Sequence, residues 1–253
     1  DGGAVSLSDH FDGSMESCVF ENNKSVNGGG ALYCWSFVTL VLSECVFTSN
    51  ETNYGGALYA LDNSNSSTSI TAYNCIFNLN ESQEGGSAVF VDTGASVNIE
   101  HCTVAYNTCA INSEGSVQAY SSGEINITNS IIYGTTVSGV DLHAANGNLV
   151  SVTFSDVGTT SATGAFNVYT DNINADPLFV NPANNDFGLQ FSSPCVDAGD
   201  PNSPLDPDGT RADMGAIPFY NSDSDSDGLS DLAELNYGTD PMDQDTDDDG
   251  LSD

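Results

Sequence analysis

Basic residues are almost absent from this chain. Its 253 residues include 36 Asp and Glu but only two Lys and Arg, Lys24 and Arg211, which gives a formal net charge of −34. Two cations cannot neutralise a run of phosphates, so nucleic acid is excluded as a partner, and adhesion to anionic lipid is disfavoured for the same reason. Ions in salty or calcium-containing water screen such self-repulsion. We therefore expect a secreted or cell-surface protein.

Long apolar segments and helical patterns are also missing. No run of 18 apolar residues occurs, so we expect no membrane insertion. No window repeats apolar residues at the helical period. No signal peptide is recognisable, and the chain opens inside a repeated Gly-Gly-Ala phrase. We therefore expect a processed or excised piece of a longer protein.

A short strand-like phrase returns instead, at spacings of 27 to 30 residues. Its five copies begin at Cys18, Cys45, Cys75, Cys102 and Ser130. An asparagine stands five residues after each cysteine, at Asn23, Asn50, Asn80 and Asn107, and a Gly-Gly-Ala phrase keeps the same interval. A fixed period of this length indicates one supersecondary unit that is stacked on itself.

Each unit has the composition of short strands and turns. Three strands per unit would make one coil of a parallel β-helix, with successive coils about 4.8 Å apart. Equivalent residues would then lie above one another. We expect an inward column of cysteines, a second column of Phe20, Phe47, Phe77 and Val104, and a ladder of asparagine amides bonded from coil to coil. The Gly-Gly pairs predict corners that need positive φ or close backbone approach.

The repeats resemble two kinds of bacterial sequence. Residues 1–135 resemble the right-handed parallel β-helix repeats of secreted pectate-lyase-like proteins and the glycine-rich Phe-x-x-Asn repeats of polymorphic outer-membrane proteins. The predicted fold is therefore all-β, a right-handed parallel β-helix with coils over residues 1–170.

The chain has seven cysteines, at positions 18, 34, 45, 75, 102, 109 and 195. In a column, neighbouring Cβ atoms would point in parallel and stay about one coil apart, which is poor geometry for a disulfide. No Cys-x-x-Cys is present, so we do not expect a thiolate metal site. We expect the stacked cysteines to be buried free thiols that pack as small apolar groups.

Residues 171–220 carry a second family signal. Residues 175–179, 193–201 and 208–216 closely resemble the terminal segment of secreted bacterial β-helix proteins of the choice-of-anchor type. The resemblance implies an exported surface protein in which this segment finishes and caps the β-helix, because an open end would expose apolar core and strand edges.

Arg211 stands among acidic residues of this segment, Asp206, Asp208 and Asp213. One interpretation is a substrate-binding or catalytic cation. The other, which we favour, is a structural ion pair that pins a turn-rich cap.

Residues 223–234 fit a twelve-position calcium loop. Such a loop has oxygen ligands at positions 1, 3, 5, 9 and 12, glycine at 6 and a backbone carbonyl at 7. The ligands here are Asp223, Asp225, Asp227, Asp231 and Glu234, with the carbonyl of Leu229. The metal would cancel the repulsion between the aspartates, whereas the alternative interpretation is a disordered acidic linker.

A second copy of the loop starts 22 residues later. Its ligands are Asp245, Asp247, Asp249, Leu251 and Asp253, and the sequence stops before its position 12. The two loops resemble thrombospondin type 3 calcium repeats, which are common as stalks in bacterial surface proteins. The resemblance implies Ca²⁺ as the cofactor and a calcium-stiffened, truncated stalk over residues 221–253.

Some right-handed β-helices are polysaccharide lyases or hydrolases, so catalysis has to be considered. A lyase of this kind needs a basic residue to abstract a proton, and only Lys24 and Arg211 are available, far apart along the chain. A hydrolase needs converging carboxylates, and we can assign no two of them to a shared column. The three histidines lack metal or triad spacing. We expect no enzymatic activity.

The sequence thus predicts a non-catalytic extracellular scaffold, a rigid rod with a calcium-stabilised tail. Such a scaffold would adhere, present ligands or assemble into a fibre, by self-association or by binding other surface proteins. The alternative is a polysaccharide-binding or polysaccharide-cleaving β-helix. Candidate rings for stacking on a glycan are Tyr33, Trp35, Tyr54, Tyr59, Tyr73 and Tyr120. Ice or mineral binding is disfavoured because Thr and Asp do not recur in register.

Overall fold

The repeats wind into a parallel β-solenoid, as the sequence predicts. The computed structural model describes residues 2–62, 67–111, 114–137, 139–145, 148–163 and 166–220 and, in the tail, residues 224–229, 234, 237–240, 242–247 and 250–251.

The strands follow one another in short steps along the chain. The first coils contain β1 (Val5–Ser8), β2 (Phe11–Glu16), β3 (Val19–Glu21), β4 (Leu32–Trp35), β5 (Val38–Ser43), β6 (Val46–Thr48), β7 (Glu51–Tyr54), β8 (Leu58–Leu61), β9 (Ser69–Tyr73), β10 (Ile76–Asn78) and β11 (Glu81–Gly85). The next contain β12 (Val89–Asp92), β13 (Ser96–Glu100), β14 (Thr103–Ala105), β15 (Thr108–Cys109), β16 (Val117–Ala119), β17 (Glu124–Thr128), β18 (Ile131–Tyr133) and β19 (Thr136–Val137). The last contain β20 (Leu142–Ala144), β21 (Leu149–Thr153), β22 (Asp156–Val157), β23 (Thr160–Ala162) and β24 (Val168–Thr170).

These strands form four parallel sheets. Sheet A has the order β1-β4-β8-β12-β16-β20-β23, sheet B β2-β5-β9-β13-β17-β21-β24, sheet C β3-β6-β10-β14-β18-β22, and sheet D β7-β11-β15-β19. The sequence predicts three strands per coil, and sheet D is the fourth. It forms because the residues after the ladder asparagines stay extended and pair with their equivalents before the chain turns at the Gly-Gly corner.

The predicted inward columns are confirmed. Phe20, Phe47 and Phe77 stack face to face, with ring centroids 4.7 Å apart in both pairs. Cys45, Cys75 and Cys102 are fully buried, while Cys18 in the first coil is partly exposed. All seven cysteines are free thiols, as expected for the column. The core is therefore built by in-register stacking of equivalent side chains.

The asparagine ladder is also confirmed, and its bonding is regular. The Nδ2 of Asn50 donates to Oδ1 of Asn80 at 2.9 Å, and its backbone N–H donates to the same oxygen at 3.0 Å. Asn80 makes the equivalent bonds to Asn107, at 3.0 and 2.9 Å. Each Nδ2 also donates to a carbonyl oxygen of a neighbouring coil, that of Phe20 for Asn50 and that of Phe47 for Asn80. The ladder thus satisfies buried backbone groups at the corner without water.

The Gly-Gly corners meet both requirements inferred from the sequence. Gly29 has a φ of +60°, in the left-handed region that favours glycine. A Cβ atom on the next residue, Gly30, would lie 2.0 Å from the carbonyl oxygen of Gly56 in the following coil. The corner therefore admits no side chain at either position.

Residues 171–220 leave the last coil and pack against a sheet, and their predicted role as the cap of the β-helix stays a prediction. Asn172 ends the last coil, where its Oδ1 accepts the backbone N–H of Ser155 at 3.0 Å. The chain then runs along the outer face of sheet C. An antiparallel hairpin, β25 (Phe179–Asn181) and β26 (Asp186–Leu189), is joined by a 3₁₀ turn (Pro182–Asn184).

This segment and the outer face of sheet C share a second apolar cluster. Its buried members are Ala105, Ile131, Phe179, Phe187, Leu189, Cys195 and Met214. Hydrogen bonds hold the segment to the sheet, such as Ala216 N–H to Oγ1 of Thr103 at 3.0 Å. Apolar residues on both faces of sheet C explain this path, because the outer face of the sheet needs a cover as well.

Arg211 has a structural position in this segment, but its observed partners are carbonyl groups. Its Nε donates to the carbonyl oxygen of Gly199 at 2.6 Å and its guanidinium lies 6.0 Å from the ring centroid of Phe154. The carboxylate of Asp213 instead accepts the backbone N–H groups of Asp197 and Phe219, at 2.7 and 2.6 Å. Arg211 and Asp213 thus hold the segment through hydrogen bonds with backbone groups, the first as a donor and the second as an acceptor.

Burial of Asp213 makes stability depend on pH in an unusual direction. Desolvation raises the pKa of Asp213 to about 6, above the roughly 3.9 of an unfolded aspartate. The folded state therefore binds more protons between these values, and stability rises as pH falls from about 7 to about 5. Burial raises the pKa of Asp141, Asp156 and Asp206 too, so they act in the same direction. Burial lowers the pKa of His101, which acts in the opposite direction, so four carboxyl groups are set against one imidazole.

We expect the thermal midpoint of the chain to be higher at pH 5 than at pH 7, and Asp213→Asn to reduce that difference. The exposed Asp12 provides a matched control, because Asp12→Asn also removes one charge but no buried carboxyl. A midpoint that falls on acidification, or an equal response of both variants, would contradict this assignment.

Candidate functional site

The outer face of sheet A carries a column of aromatic side chains. Side chains alternate along a strand, so the residues beside the buried Leu32, Leu58 and Val89 point outward. In parallel register these neighbours are Tyr33, Tyr59, Phe90, Gln118 and His143. The solenoid therefore places equivalent outward side chains one coil apart along this face.

Other residues join this column to form an open cleft of about 440 Å³, which we call the tyrosine cleft. It is lined by Tyr54, Tyr59, Glu84, Phe90, Asp92, Ile111, Glu114, Gln118 and Tyr120. They come from sheets A and D and from the turns around β16, so the Gly-Gly corner brings its two walls together.

The rings of the cleft are in mutual contact and inclined to one another. The centroids of Tyr54 and Tyr59 each lie 5.2 Å from that of Phe90, with interplanar angles of 43° and 80°. Tyr120 lies 6.0 Å from Phe90 and is nearly parallel to it, at 26°. Tyr33 continues the cluster by an edge contact with Tyr59 at 5.4 Å. Such contacts fix the rings in place before any ligand arrives.

Three carboxylates lie among these rings, each held by a neutral donor. The hydroxyl of Tyr59 donates to Oδ2 of Asp92 at 2.9 Å. The hydroxyl of Tyr54 donates to Oε2 of Glu84, and Nε2 of Gln118 donates to Oε2 of Glu114. The pKa of Tyr54 is raised to about 12 by its hydrogen bond to Glu84, and burial raises the pKa of Tyr59. Both hydroxyls stay protonated donors at physiological pH.

Sequence reasoning found part of this site. Four of the six candidate rings, Tyr33, Tyr54, Tyr59 and Tyr120, come together, whereas Tyr73 packs against His101 elsewhere. Phe90, Glu84 and Glu114 were missed, and Asp92 was considered only as a carboxylate without a shared column, since the three acidic residues occupy different positions within their coils. The available signal was the phrase Gly-Gly-Ala-Leu-Tyr, present twice, with Gly-Gly-Ser-Ala-Val-Phe in the next coil.

The acidic tail is the second candidate site, and its described residues fit a calcium loop. Gly228, at position 6 of the first loop, has a φ of +108°, and Asp227 Oδ1 accepts the backbone N–H of Leu229 at 2.7 Å. Asp227 Oδ2 is buried and accepts no hydrogen bond from the described residues. Glu234, at position 12, is fully buried. Buried carboxylate oxygens in a segment without basic residues are suited to a cation.

The glycine of the second loop also has a positive φ. Gly250, at position 6, has a φ of +88°, and its backbone N–H donates to Oδ2 of Asp245 at 2.7 Å. Predicted ligands outside the described residues are Asp223, Asp231, Asp249 and Asp253. Among the residues that the structure does describe, no three acidic, histidine or cysteine side chains gather in a metal-holding group. The ligand sets of both loops thus stay predictions.

Two family models match parts of the chain. The model described as bacterial TSP3 repeat matches residues 223–244, and the model described as Chlamydia polymorphic membrane protein repeat matches residues 17–34. Both matches are local and neither covers half of the chain. Together with the solenoid they confirm the resemblance to bacterial β-helix repeat proteins, and they suggest a cell-surface or extracellular protein. Comparisons with curated proteins and with solved structures give no match.

The choice-of-anchor resemblance of residues 171–220 stays a prediction.

Over the described residues, no helix has both the length and the apolar character needed to cross a membrane.

Proposed function

We propose that this chain is a non-catalytic extracellular scaffold, a rigid β-solenoid rod that carries a calcium-binding stalk. The observation that supports this most strongly is the unbroken coil-to-coil bonding of the solenoid beside a tail matched by a TSP3 repeat, a family associated with calcium binding. Stacked ladders resist bending because each coil is bonded to the next through side chains as well as backbone.

Calcium would be held by oxygen atoms of the first loop. Asp223, Asp225, Asp227, Asp231 and Glu234 would supply carboxylates and Leu229 a carbonyl, which matches the preference of Ca²⁺ for several hard oxygens. The bound ion would neutralise neighbouring carboxylates and so order the stalk. In such a scaffold the calcium is structural, and the partners are other surface proteins or copies of the chain.

Calcium binding is tested by isothermal titration of the chain with CaCl₂ after chelation. We expect binding that is weakened about tenfold or more in Asp227→Asn, because that change removes a charged ligand from the centre of the loop. Asp12→Asn, an equal change on exposed β2, should bind as the unaltered chain does. Equal heats from the unaltered chain and Asp227→Asn would contradict the assigned loop.

A polysaccharide-cleaving activity is the second candidate, favoured by the three carboxylates of the tyrosine cleft. Glycoside hydrolysis uses a pair of carboxylates on either side of the scissile bond. Reducing ends released from a polysaccharide panel by the unaltered chain, and lost in Glu84→Gln and Glu114→Gln, would replace the scaffold proposal with a hydrolase. No release by any of these proteins is the result that the scaffold proposal predicts.

A further inference from the structure

The tyrosine cleft combines aromatic rings and carboxylates without any basic side chain. Of the two basic residues in the chain, Lys24 is paired with Glu51 at 2.6 Å and Arg211 lies against Gly199. The cleft volume of about 440 Å³ lies within the range of small-ligand sites. Nothing in the scaffold proposal requires this cleft.

Two of its carboxylates keep one oxygen available. Tyr54 and Gln118 each bond to the Oε2 atom of their partner, and among the described residues no donor bonds to Oε1 of Glu84 or of Glu114. The bonds at Oε2 fix the carboxylates, so the Oε1 atoms are positioned acceptors. A ligand that fits them brings N–H or O–H donors, and positive charge strengthens each such bond.

The rings favour a ligand with broad apolar faces as well as charge. Tyr120 is 52% exposed and makes no side-chain hydrogen bond in the described structure, so its ring is presented to solvent. Sugar rings pack their C–H faces on aromatic side chains, and a cation over such a ring gains about 0.5–1 kcal/mol at exposed sites. An unacetylated amino sugar carries all three features, namely an apolar face, hydroxyl donors and an ammonium group.

We propose that the tyrosine cleft binds glycans that contain free amino sugars. Tyr54, Tyr59, Phe90 and Tyr120 pack on the sugar rings, while Glu84 and Glu114 accept hydrogen bonds from ammonium and hydroxyl groups. Asp92, with both oxygens bonded, contributes charge. Uronate-containing glycans are rejected, because three carboxylates and a net charge of −34 repel them.

The test is isothermal titration of the full chain with three matched tetrasaccharides, of glucosamine, of N-acetylglucosamine and of galacturonate, at a pH where the amines are protonated. We expect the glucosamine tetramer to bind, the N-acetylated tetramer to bind about tenfold more weakly or not at all, and the galacturonate tetramer not to bind. Binding of the acetylated or the uronate tetramer as strongly as the glucosamine tetramer overturns the proposal.

Variants distinguish the cleft from general attraction to an acidic protein. Tyr120→Ala should weaken binding about two- to fivefold, as expected for loss of one ring over a cation. Glu84→Gln combined with Glu114→Gln should weaken it about tenfold, since charge is removed while shape is kept. The controls are Tyr73→Ala, a ring outside the cleft, and Glu21→Gln, an exposed residue of β3.

Equal weakening by controls and cleft variants means adsorption to surface charge, and it overturns the proposal. The calcium proposal is tested separately, because chelation should leave glycan affinity unchanged while Asp227→Asn leaves the cleft intact. If the unaltered chain binds calcium but not the glucosamine tetramer, the cleft assignment is wrong and the calcium proposal is unaffected.

Discussion

Asn80→Ala is expected to lower the free energy of unfolding by about 3–5 kcal/mol. The change removes an amide that accepts two hydrogen bonds from Asn50 and donates one each to Asn107 and the carbonyl of Phe47. The backbone N–H of Asn50 and the carbonyl of Phe47 would be left buried without their ladder partner, and each such loss costs about 1–3 kcal/mol. Nδ2 of Asn50 keeps its bond to Phe20, and Oδ1 of Asn107 keeps the backbone N–H of residue 80. Urea unfolding followed by circular dichroism measures the change.

Asn98→Ala provides the matched control for the ladder. Asn98 lies on the outer face of sheet B, half-buried, where its Nδ2 donates to Oγ1 of Thr71 at a long 3.4 Å and its Oδ1 accepts Nδ2 of Asn126 at 3.1 Å. We expect this control to cost about 1 kcal/mol or less, since water can reach this half-buried face and replace both lost partners. If the two alanine variants shift the urea midpoint equally, the ladder does not stabilise the solenoid as described.

Phe47→Ala is the second change with a large expected effect, a loss of about 3–5 kcal/mol. Its ring is fully buried and stacked on both faces, by Phe20 and Phe77. Removing it opens a cavity between coils whose spacing is fixed by backbone bonds, so the neighbouring rings cannot close it. The measurement is again the urea midpoint, with circular dichroism at several wavelengths to detect partial unfolding.

Phe20→Ala is the control for this stack. Phe20 has one stacking partner and is 8% exposed, so its loss leaves a gap that is open on one side. We expect a clearly smaller shift than for Phe47→Ala. The reverse order would show that the stack stabilises the first coil most, contrary to the account of a core built by repetition.

The sequence predicts the solenoid well because equivalent residues in a parallel stack have identical surroundings. Spacing alone predicts the cysteine, phenylalanine and asparagine columns, and the structure confirms them. In parallel strands paired in register, equivalent residues of successive coils must lie above one another. The fourth sheet was missed because its strands, such as Glu51–Tyr54, are short and have no strong alternation of apolar residues. The packing of residues 171–220 on sheet C could not be predicted, because apolar residues are equally suited to an end cap and to a sheet face.

The tyrosine cleft shows where spacing stops being informative. Its tyrosines were among the candidate rings, and Tyr59 shares a column with Tyr33, but Glu84 and Glu114 have no equivalents in the other coils. They meet only because the walls of the solenoid turn sharply at Gly85 and Gly86. Side chains that converge across a corner come from unrelated repeat positions, so a column analysis does not find them.

The most direct test of the scaffold proposal is hydrogen exchange of the intact chain, with millimolar CaCl₂ and with excess chelator. We expect slow exchange of the strands of sheets A, B and C in both conditions, and protection of residues 223–244 only when calcium is present. Exchange of residues 223–244 that calcium does not change, or solenoid strands that exchange rapidly, would contradict a rigid rod with a calcium-ordered stalk.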